Sequence, residues 1–365
     1  MAYNQHENPV WNIVSRVLML LAAFLLFLSY ASMLVNPARA WFMTVIGLLF
    51  VPIAVLNVLL FLWAVHRRSR SFWIPLLALL PSAILLGRYL QFSSGAEEKK
   101  PGAVKVMTYN VGKFGLGQGD RFKGESGVEA CIDSVARYLR AVDADIVCLQ
   151  EVNMPGEYDA AQFFRKHFPG YNAGYFMYVS DEGTYGNAIL SRFPIRDKGK
   201  MVFERSANMA VWTDLDVHGG TVRVYNCHFE SYSISLGHLA KSIGRDSTIV
   251  RSTGEKMKKS ISRRPEQVEM VMADIEDCPV KAIVTGDFND NPLSYTYHRM
   301  MKGRKDTFVE AGKGFGATYS ALWPFIRIDY ILYPKEFGAV SNRIPRLDYS
   351  DHYPVVAEIN IPRDE

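Results

Sequence analysis

The sequence predicts an α/β protein in which three apolar N-terminal helices precede a domain whose strands form a β-sheet sandwich. Two observations support this prediction. Three apolar runs, each close to the roughly 20 residues that cross a bilayer as a helix, occupy the first quarter of the 365-residue chain. Beyond them, short apolar strand patterns alternate with helical patterns, and several of the strands end in polar residues.

The apolar runs extend from Ile13 to Val35, from Trp41 to Val65 and from Phe72 to Phe92. Their only charged residues, Arg16 and Arg88, lie near the ends, where a long side chain reaches the membrane interface. A cleaved signal peptide is the alternative for the first run, but two more apolar runs follow it. We therefore expect residues 1–92 to form a membrane anchor with three transmembrane helices.

Basic residues between the apolar runs predict the topology. Arg67, Arg68 and Arg70 lie between the second and third runs, whereas the first loop offers only Arg39. Because basic loops stay in the cytosol, we expect the second loop to be cytosolic. The protein is then an integral membrane protein whose C-terminal domain lies on the non-cytosolic face.

Residues 93–102 are small or charged, which is typical of a linker, and we expect residues 103–365 to form one domain. Up to Lys100 the chain has eight basic and three acidic residues, and beyond it 33 basic and 34 acidic residues. The domain thus lacks the positive excess expected of a protein that holds long nucleic acid chiefly by charge. The four cysteines form no C-x-x-C pair, so neither a zinc site nor a thiol redox motif is indicated.

The domain begins with a strand pattern from Val104 to Asn110, followed by helical spacing from Val128 to Ala141. DADIVCLQEVN is a continuous apolar strand, and GNAILSRFPI is a strand closed by a turn at Pro194. ANMAVWTDLDV and TVRVYNCHFES alternate like paired antiparallel strands. A helical face near Val268 precedes KAIVTGDFNDNP, and RIDYILYP and YSDHYPVVAEI supply the last strands.

At least five of these strands end in, or carry near their end, a residue that can bind metal or phosphate. The residues are Asn110, Glu151, His228, Asp287, Asn289, Asp329, Asp351 and His352. Taken singly, Glu151 is typical of a solvated acid and His228 of a structural histidine. Together they predict a site at one rim of a sandwich. Phosphate-ester hydrolysis needs such a set: hard oxygen ligands for Mg²⁺, a base that orients water, and donors that stabilise the developing charge.

The segments TYN, LQE, GNAILSRFP, NCHFES, GDFND, IDYIL and SDHYPV resemble, in this order, the motifs of the endonuclease/exonuclease/phosphatase superfamily. This superfamily includes AP endonucleases, pancreatic-type deoxyribonucleases, neutral sphingomyelinases and inositol polyphosphate phosphatases. The resemblance spans Val104 to Ile361, and GDFN together with SDH is its specific part. It implies a four-layer α/β/β/α sandwich with the site at one end of the two sheets, and a metal-dependent phosphoesterase in residues 103–365.

The resemblance also implies roles for single residues. Glu151 matches the metal-binding Glu, Asn110 the Asn that supports the metal site, and Asp351 a further acid near the metal. Asp287 matches the Asp that orients or deprotonates the attacking water. Asn289 matches the Asn that holds the scissile phosphate.

The histidines have implied roles as well. His228 resembles the phosphate-contacting His of the deoxyribonuclease and sphingomyelinase branches. His352 matches the His that stabilises the phosphoryl oxygens, and Asp329, its orienting partner, is expected to raise the pKa of His352. The implied cofactor is Mg²⁺, with Mn²⁺ as an alternative, and one or two ions stay open. Arg192 is a candidate phosphate contact, with an exposed surface arginine as the alternative.

A Ser-rich segment between His228 and a helix near Pro265 carries basic residues: Lys241, Arg245, Arg251, Lys256, Lys258, Lys259, Arg263 and Arg264. It is either a lid or recognition loop or a solvated insertion. The cluster suits anionic lipid headgroups or a nucleic-acid backbone.

The anchor favours a phosphate ester in a lipid headgroup or an envelope-associated molecule, because tethering raises the effective concentration of such substrates. An anchored nuclease acting on DNA or RNA, and a non-catalytic binding module, are the alternatives. Besides the lipid bilayer and the substrate, the sequence indicates no protein partner.

Overall fold

The computed structural model describes residues 9–92, 95–115, 124–154, 159–180, 183–232 and 247–362. Its contacts divide the chain into two units, which are Met1–Gly87 with Leu293–Tyr295, and Arg88–Pro292 with Thr296–Glu365. Residues 88–92, which belong to the third apolar run of the sequence, are thus part of the second unit.

The first unit consists of apolar helices: α1 (Pro9–Ala31), α2 (Trp41–Leu48), α3 (Phe50–His66) and α4 (Trp73–Leu85). Among the described residues, Val10–Ala31 and Arg70–Arg88 are long and apolar enough to cross a membrane. Helices α2 and α3 pass the same test only as a pair, bent by 57°. The predicted count of three spans therefore holds only if this bent pair is one span. The apolar helices indicate association with a membrane.

Polar contacts join these helices. The buried side chain of Asn57 in α3 donates a hydrogen bond to the carbonyl of Ala22 in α1 at 3.0 Å. The Tyr30 hydroxyl donates to the carbonyl of Ala78 in α4 at 2.8 Å. Arg16 donates from Nε to Ser71 Oγ at 3.0 Å, so its charge is held at the start of the third helical segment. Such bonds hold apolar helices together where burial of apolar surface against lipid supplies little driving force.

The second unit contains all fourteen described strands and, among the described residues, five α-helices of at least five residues. The strands are β1 (Leu90–Gln91), β2 (Val104–Asn110), β3 (Ile146–Met154), β4 (Asn172–Ser180), β5 (Gly183–Ser191), β6 (Ile195–Val202), β7 (Met209–Val217), β8 (Gly220–His228), β9 (Lys281–Asp287), β10 (Arg304–Asp306), β11 (Gly314–Phe315), β12 (Asp329–Pro334), β13 (Gly338–Arg343) and β14 (Val355–Asn360). The helices are α5 (Glu125–Val142), α6 (Ala160–His167), α7 (Ser247–Asp277), α8 (Tyr295–Met300) and α9 (Thr307–Ala311).

Within the described residues the strands form two six-stranded sheets and a two-stranded ladder of β1 with β11. The first sheet has the order β13-β14-β2-β3-β5-β4, and the second has the order β10-β12-β9-β8-β7-β6. Strands β2 and β3 are parallel, as are β8 and β9, whereas the other neighbours are antiparallel. Each sheet therefore contributes one pair of parallel carboxyl ends.

The two sheets pack face to face with helices outside them. Val106 and Ile146 of the first sheet share a buried core with Val224 and Ile283 of the second. The outer faces are covered by the apolar stripe of α5 on one side and by that of α7 on the other. Burial of both faces explains why the central strands read as continuous apolar runs. The predicted four-layer α/β/β/α sandwich is confirmed.

The segment before Pro265 differs from its prediction. Helix α7 begins at Ser247, so the basic residues from Arg251 to Arg264 lie in a helix and not in a loop, and Pro265 lies inside that helix. Lys241 and Arg245 lie outside the described residues. A run of Arg, Lys and Glu is compatible with helix as well as with a solvated loop, which is why composition alone did not separate them.

Candidate active site

The ends of four strands place polar side chains at one edge of the sandwich. Asn110 ends β2, and His228 and Asp287 end the parallel strands β8 and β9 at the same register position. Asp329 opens β12 opposite Asp287. The carboxyl ends of parallel strands meet at one edge of a sheet, so residues that end such strands lie close together although they are distant in the sequence. The side chains therefore converge at one rim.

Glu151 reaches this rim through an irregularity in β3. The register of β3 with β5 shifts between Leu149 and Val152, and Glu151 has a φ of 52°. A bulge of this kind redirects a side chain that regular alternation would have placed elsewhere. Its neighbour Gln150 stays buried and donates to Asn226 Oδ1 of the other sheet at 2.6 Å. The bulge thus lets Gln150 bond to the other sheet while its neighbour Glu151 faces the rim.

Asn110 holds two carboxylates together. Its Nδ2 donates to Glu151 Oε1 at 3.2 Å and to Asp287 Oδ2 at 2.9 Å. Its Oδ1 accepts a hydrogen bond from the backbone N–H of Gly112 at 3.0 Å. The amide oxygen is therefore in use, and Asn110 supports the acids around it in this geometry instead of offering a free ligand atom.

Asp287 is fixed on its second oxygen as well. The backbone N–H of Asn289 donates to Asp287 Oδ1 at 2.8 Å, and Asn289 Nδ2 donates to the carbonyl of Phe229 at 2.9 Å. Asn289 has a φ of 51°, a left-handed conformation that asparagine tolerates better than most residues. The sharp turn after β9 thus brings Asn289 beside Asp287.

His228 faces the acids without a hydrogen bond from its Nε2 atom. This atom lies 3.6 Å from Glu151 Oε1 and 3.7 Å from Asp287 Oδ2, which exceeds hydrogen-bond length. It is buried and has no hydrogen-bond partner in the part of the chain that the structure describes. Buried polar atoms are normally satisfied, so this one indicates a ligand between the imidazole and the carboxylates.

His352 and Asp329 form a buried pair on the other side of Asp287. His352 Nδ1 lies 3.0 Å from Asp329 Oδ2, and His352 Nε2 lies 3.7 Å from Asp287 Oδ2. Burial raises the pKa of Asp329 to about 6, and the charge of His352 opposes that rise. Burial also disfavours the charged imidazole, but Asp329 and Asp287 outweigh it and place the pKa of His352 well above its ordinary value. A charged imidazole held by an ionised carboxylate is the arrangement that neutral pH favours.

The donors at this rim suit a hard divalent cation. Glu151, Asp287 and Asp351 supply carboxylate oxygens, which Mg²⁺ prefers. Asp351 lies beside Gly112, where a Cβ would come within 3.1 Å of Asp351 Oδ1. Ligand atoms of Asp287, Asp329 and His352 also lie within 4.8 Å of one another. Because Asp329 and His352 already bond to each other, the carboxylates on the Glu151 side fit the ion better.

A cleft of about 290 Å³ adjoins Glu151 and His228. Its further lining includes Lys113, Tyr185, Asn187 and Asn208, none of which the sequence motifs had singled out for the site. Lys113 Nζ lies 4.8 Å from the centroid of the Tyr185 ring. Asn187 lies in the GNAILSRFP motif, so the sequence could have indicated it as a site residue. Asn208 lies in the loop before β7, and no motif there suggests a functional role.

Tyr319 is another residue of the site that the sequence did not indicate. Its ring packs edge-on against the His352 imidazole, with 5.3 Å between centroids, and the two residues form an isolated β-bridge. The loop that carries Tyr319 therefore borders the buried pair.

Arg192 does not lie at this rim. Its neighbour Ser191 pairs with Ile146, at the start of β3, whereas Glu151 lies five residues further along. At about 3.3 Å per residue this separates the two positions by roughly 17 Å. Arg192 forms an ion pair with Asp143, and its guanidinium lies 5.5 Å from the Tyr171 ring centroid. Its position does not support the predicted phosphate contact, and the alternative of a surface arginine describes it.

Known proteins resemble both parts of the chain. A family model described as the Endonuclease/Exonuclease/phosphatase family matches residues 107–352, and a model described as a domain of unknown function matches residues 12–89. The uncharacterized protein YbhP of Escherichia coli K12 is 24% identical over 290 residues, which cover 70% of this chain and 96% of that protein.

Solved structures share the fold of the second unit. An endonuclease/exonuclease/phosphatase from Bacteroides vulgatus covers 71% of this chain and 99% of its own, with 19% identity and a TM-score of 0.52. The human Nocturnin catalytic domain with a bound sulfate anion covers 72% of this chain and 96% of its own, with 17% identity and a TM-score of 0.51.

The family match covers more than half of the 365 residues and includes the strands that carry the rim. Members of this family hydrolyse phosphate esters and generally depend on a divalent metal ion. The chain belongs to the endonuclease/exonuclease/phosphatase family and is a hydrolase of phosphate esters.

Proposed function

We propose that this protein is a membrane-anchored, Mg²⁺-dependent phosphoesterase that hydrolyses a phosphate ester in a lipid headgroup or an envelope-associated molecule. The observation that carries the proposal is the unsatisfied Nε2 of His228, which faces Glu151 and Asp287 at the rim. A phosphoryl oxygen and a cation together would satisfy this imidazole and these carboxylates. Mn²⁺ is the alternative ion.

Glu151 and Asp351 would hold the metal ion, with Asn110 fixing the Glu151 carboxylate. When bound, the ion neutralises charge on the phosphoryl oxygens. Asp287 would orient the attacking water and accept its proton, since hydrogen bonds from Asn110 and Asn289 hold its carboxylate in one position. A base fixed in this way acts without reorganisation.

His352 would donate to the phosphoryl oxygen on which charge develops, with Asp329 keeping the imidazole protonated and oriented. His228 would contact the same phosphate from the opposite side of Asp287. Asn289 would hold the scissile group, although its amide is bonded to the Phe229 carbonyl in this geometry and has to exchange that bond.

The apolar helices support the choice of substrate. A tethered enzyme meets bilayer-associated esters at a high effective concentration. The basic residues Arg67, Arg68 and Arg70 between α3 and α4 support a cytosolic loop there, which puts the catalytic domain, residues 103–365, on the non-cytosolic face.

Turnover by the full chain in lipid nanodiscs tests the proposal. Sphingomyelin, phosphoinositides, plasmid DNA and RNA are offered separately, with Mg²⁺ or with EDTA. We expect Mg²⁺-dependent turnover of a lipid, and Asp287→Asn to lower it by about 10²- to 10⁴-fold. Asp197→Asn, a change at an exposed acid on β6, is the matched control and retains activity.

Nicking of plasmid or cleavage of RNA without lipid turnover would contradict the lipid proposal and favour a nuclease. Equal activity of Asp287→Asn and the wild type would contradict the role of Asp287.

A further inference from the structure

Three large aromatic side chains are exposed on one segment of the second unit. Phe315, Trp323 and Phe325 are 50%, 41% and 53% exposed. The rings of Phe315 and Trp323 meet edge-on with centroids 5.8 Å apart, and the guanidinium of Arg346 lies 4.7 Å from the Trp323 ring centroid. Exposed apolar surface of this kind marks an interaction site. We name residues 315–326 the aromatic loop.

The aromatic loop is built on the residues that follow the last apolar segment. That candidate span ends at Arg88. The next residue, Tyr89, accepts a hydrogen bond on its carbonyl from the N–H of Gly316 at 2.8 Å, and Leu90 pairs with Phe315 in the β1–β11 ladder. Consecutive Cα atoms lie about 3.8 Å apart, so a chain that leaves a bilayer at Arg88 has the base of this loop beside it.

We infer that the aromatic loop docks on the surface of the lipid bilayer in which the N-terminal helices are anchored. Tryptophan, other aromatic rings and arginine are the side chains suited to the headgroup region, because each has an apolar body and a polar or charged tip or edge. The bilayer is chosen over a second protein copy because chain continuity brings it to this loop.

The same loop also contacts the candidate active site. Tyr319 packs against His352, the N–H of Ser320 donates to the carbonyl of Asp351 at 2.8 Å, and the N–H of Tyr353 donates to the carbonyl of Thr318 at 2.7 Å. Docking of the aromatic rings would therefore hold the rim that carries Asp351 and His352 near the headgroups. This consequence for catalysis rests on the proposed lipid phosphoesterase function, whereas the docking itself does not.

A fluorescent label on the loop tests the docking directly. The full chain carries Cys278→Ser, because the other three cysteines are buried. Ala321→Cys, at an exposed position of the loop, is labelled with an environment-sensitive fluorophore in nanodiscs that contain a nitroxide-labelled lipid. Asp197→Cys, exposed on β6, is the matched control. We expect a blue shift and strong quenching at position 321 only, and both are reduced by Trp323→Ala with Phe325→Ala. Equal quenching at positions 321 and 197 would overturn the inference.

Turnover separates docking from a merely structural loop. For Trp323→Ala with Phe325→Ala we expect hydrolysis of a bilayer-embedded substrate to fall at least about tenfold, with hydrolysis of soluble bis(4-nitrophenyl) phosphate unchanged. Val202→Ala, which removes an exposed apolar side chain on β6, leaves both unchanged. An equal loss on both substrates would overturn the inference. Quenching at position 321 in a protein that cleaves only nucleic acid would retain the docking and reject the lipid substrate.

Discussion

Asp329 and His352 form a buried pair with 3.0 Å between Oδ2 and Nδ1, although one opens strand β12 and the other lies in the loop before β14. Asp329 on β12 pairs directly with Asp287 on the neighbouring strand β9. The proposed base Asp287 and the carboxylate that holds the His352 imidazole therefore lie on adjacent strands. We therefore propose that Asp329 and His352 act as one functional unit.

If they act as a unit, their substitutions are not additive. We expect Asp329→Asn and His352→Ala each to lower kcat by about 10²- to 10³-fold, because a charged imidazole needs its carboxylate for both orientation and protonation. The double variant should fall no further than the less active single variant. Steady-state kinetics on a soluble phosphodiester measures kcat of the wild type, the two single variants and the double variant. Asp277→Asn, at an exposed helix end, is the control. Two losses that multiply in the double variant would show that the residues act independently.

Divalent metal binding should stabilise the fold through Glu151. A ligand at 100 times its Kd stabilises the folded state by about 2.7 kcal/mol. We expect Mg²⁺ to raise the Tm of the wild-type protein and EDTA to reverse the rise, with no response in Glu151→Gln. Differential scanning fluorimetry in detergent measures it. Glu336→Gln, at an exposed acid, should respond like the wild type. A full Mg²⁺ response in Glu151→Gln would place the metal on other ligands.

The buried ion pair of Arg264 and Asp290 ties helix α7 to the turn after β9. Arg264 Nη1 lies 2.9 Å from Asp290 Oδ2, both side chains are 1% exposed, and Tyr232 donates to the second carboxylate oxygen at 3.0 Å. Arg264→Ala leaves a buried carboxylate without its cation, which costs about 3 to 5 kcal/mol of unfolding free energy. Urea denaturation in detergent measures the loss.

Arg251→Ala is the matched control on the same helix, since the Arg251 side chain is 83% exposed and pairs with Glu255 one turn along that helix. Exposed pairs of this type contribute little to stability. A loss of equal size in both variants would show that helix propensity, and not the buried pair, accounts for the effect.

The glycine of GDFN is required by close packing of two parallel strands. Gly286 has a φ of +126°, and a Cβ there would lie 1.9 Å from the carbonyl oxygen of Cys227. In Gly286→Ala the positive φ strains the backbone and the added Cβ overlaps the Cys227 carbonyl oxygen. We therefore expect this change to lower the free energy of unfolding by more than about 3 kcal/mol.

Gly303 provides the control for conformation alone. It also has a positive φ, of +75°, but nothing lies within 4 Å of the place that a Cβ would take, so Gly303→Ala should cost only about 1 kcal/mol. Equal losses in the two variants, measured by urea denaturation, would contradict the overlap at Gly286.

The sequence was sufficient for the central strands and for the residues that end them. Strands such as β3 and β9 are buried on both faces, which leaves an apolar run that is visible without any structure. The four strands at the sheet edges, β4, β6, β10 and β13, were not predicted. Strand β6 shows why, since most of its side chains are exposed and its composition does not differ from that of a loop.

The family, the order of its motifs and the chemistry of the residues at the strand ends could all be read from the amino-acid sequence. Which of those residues meet depends on the three-dimensional arrangement of the strands. The fold joins Asn110 to Asp287, whereas Arg192 follows the end of β5 that pairs with the start of β3, away from the rim. Composition and periodicity report only the burial of each segment, because strand order, register and bulges decide which ends of which strands share an edge.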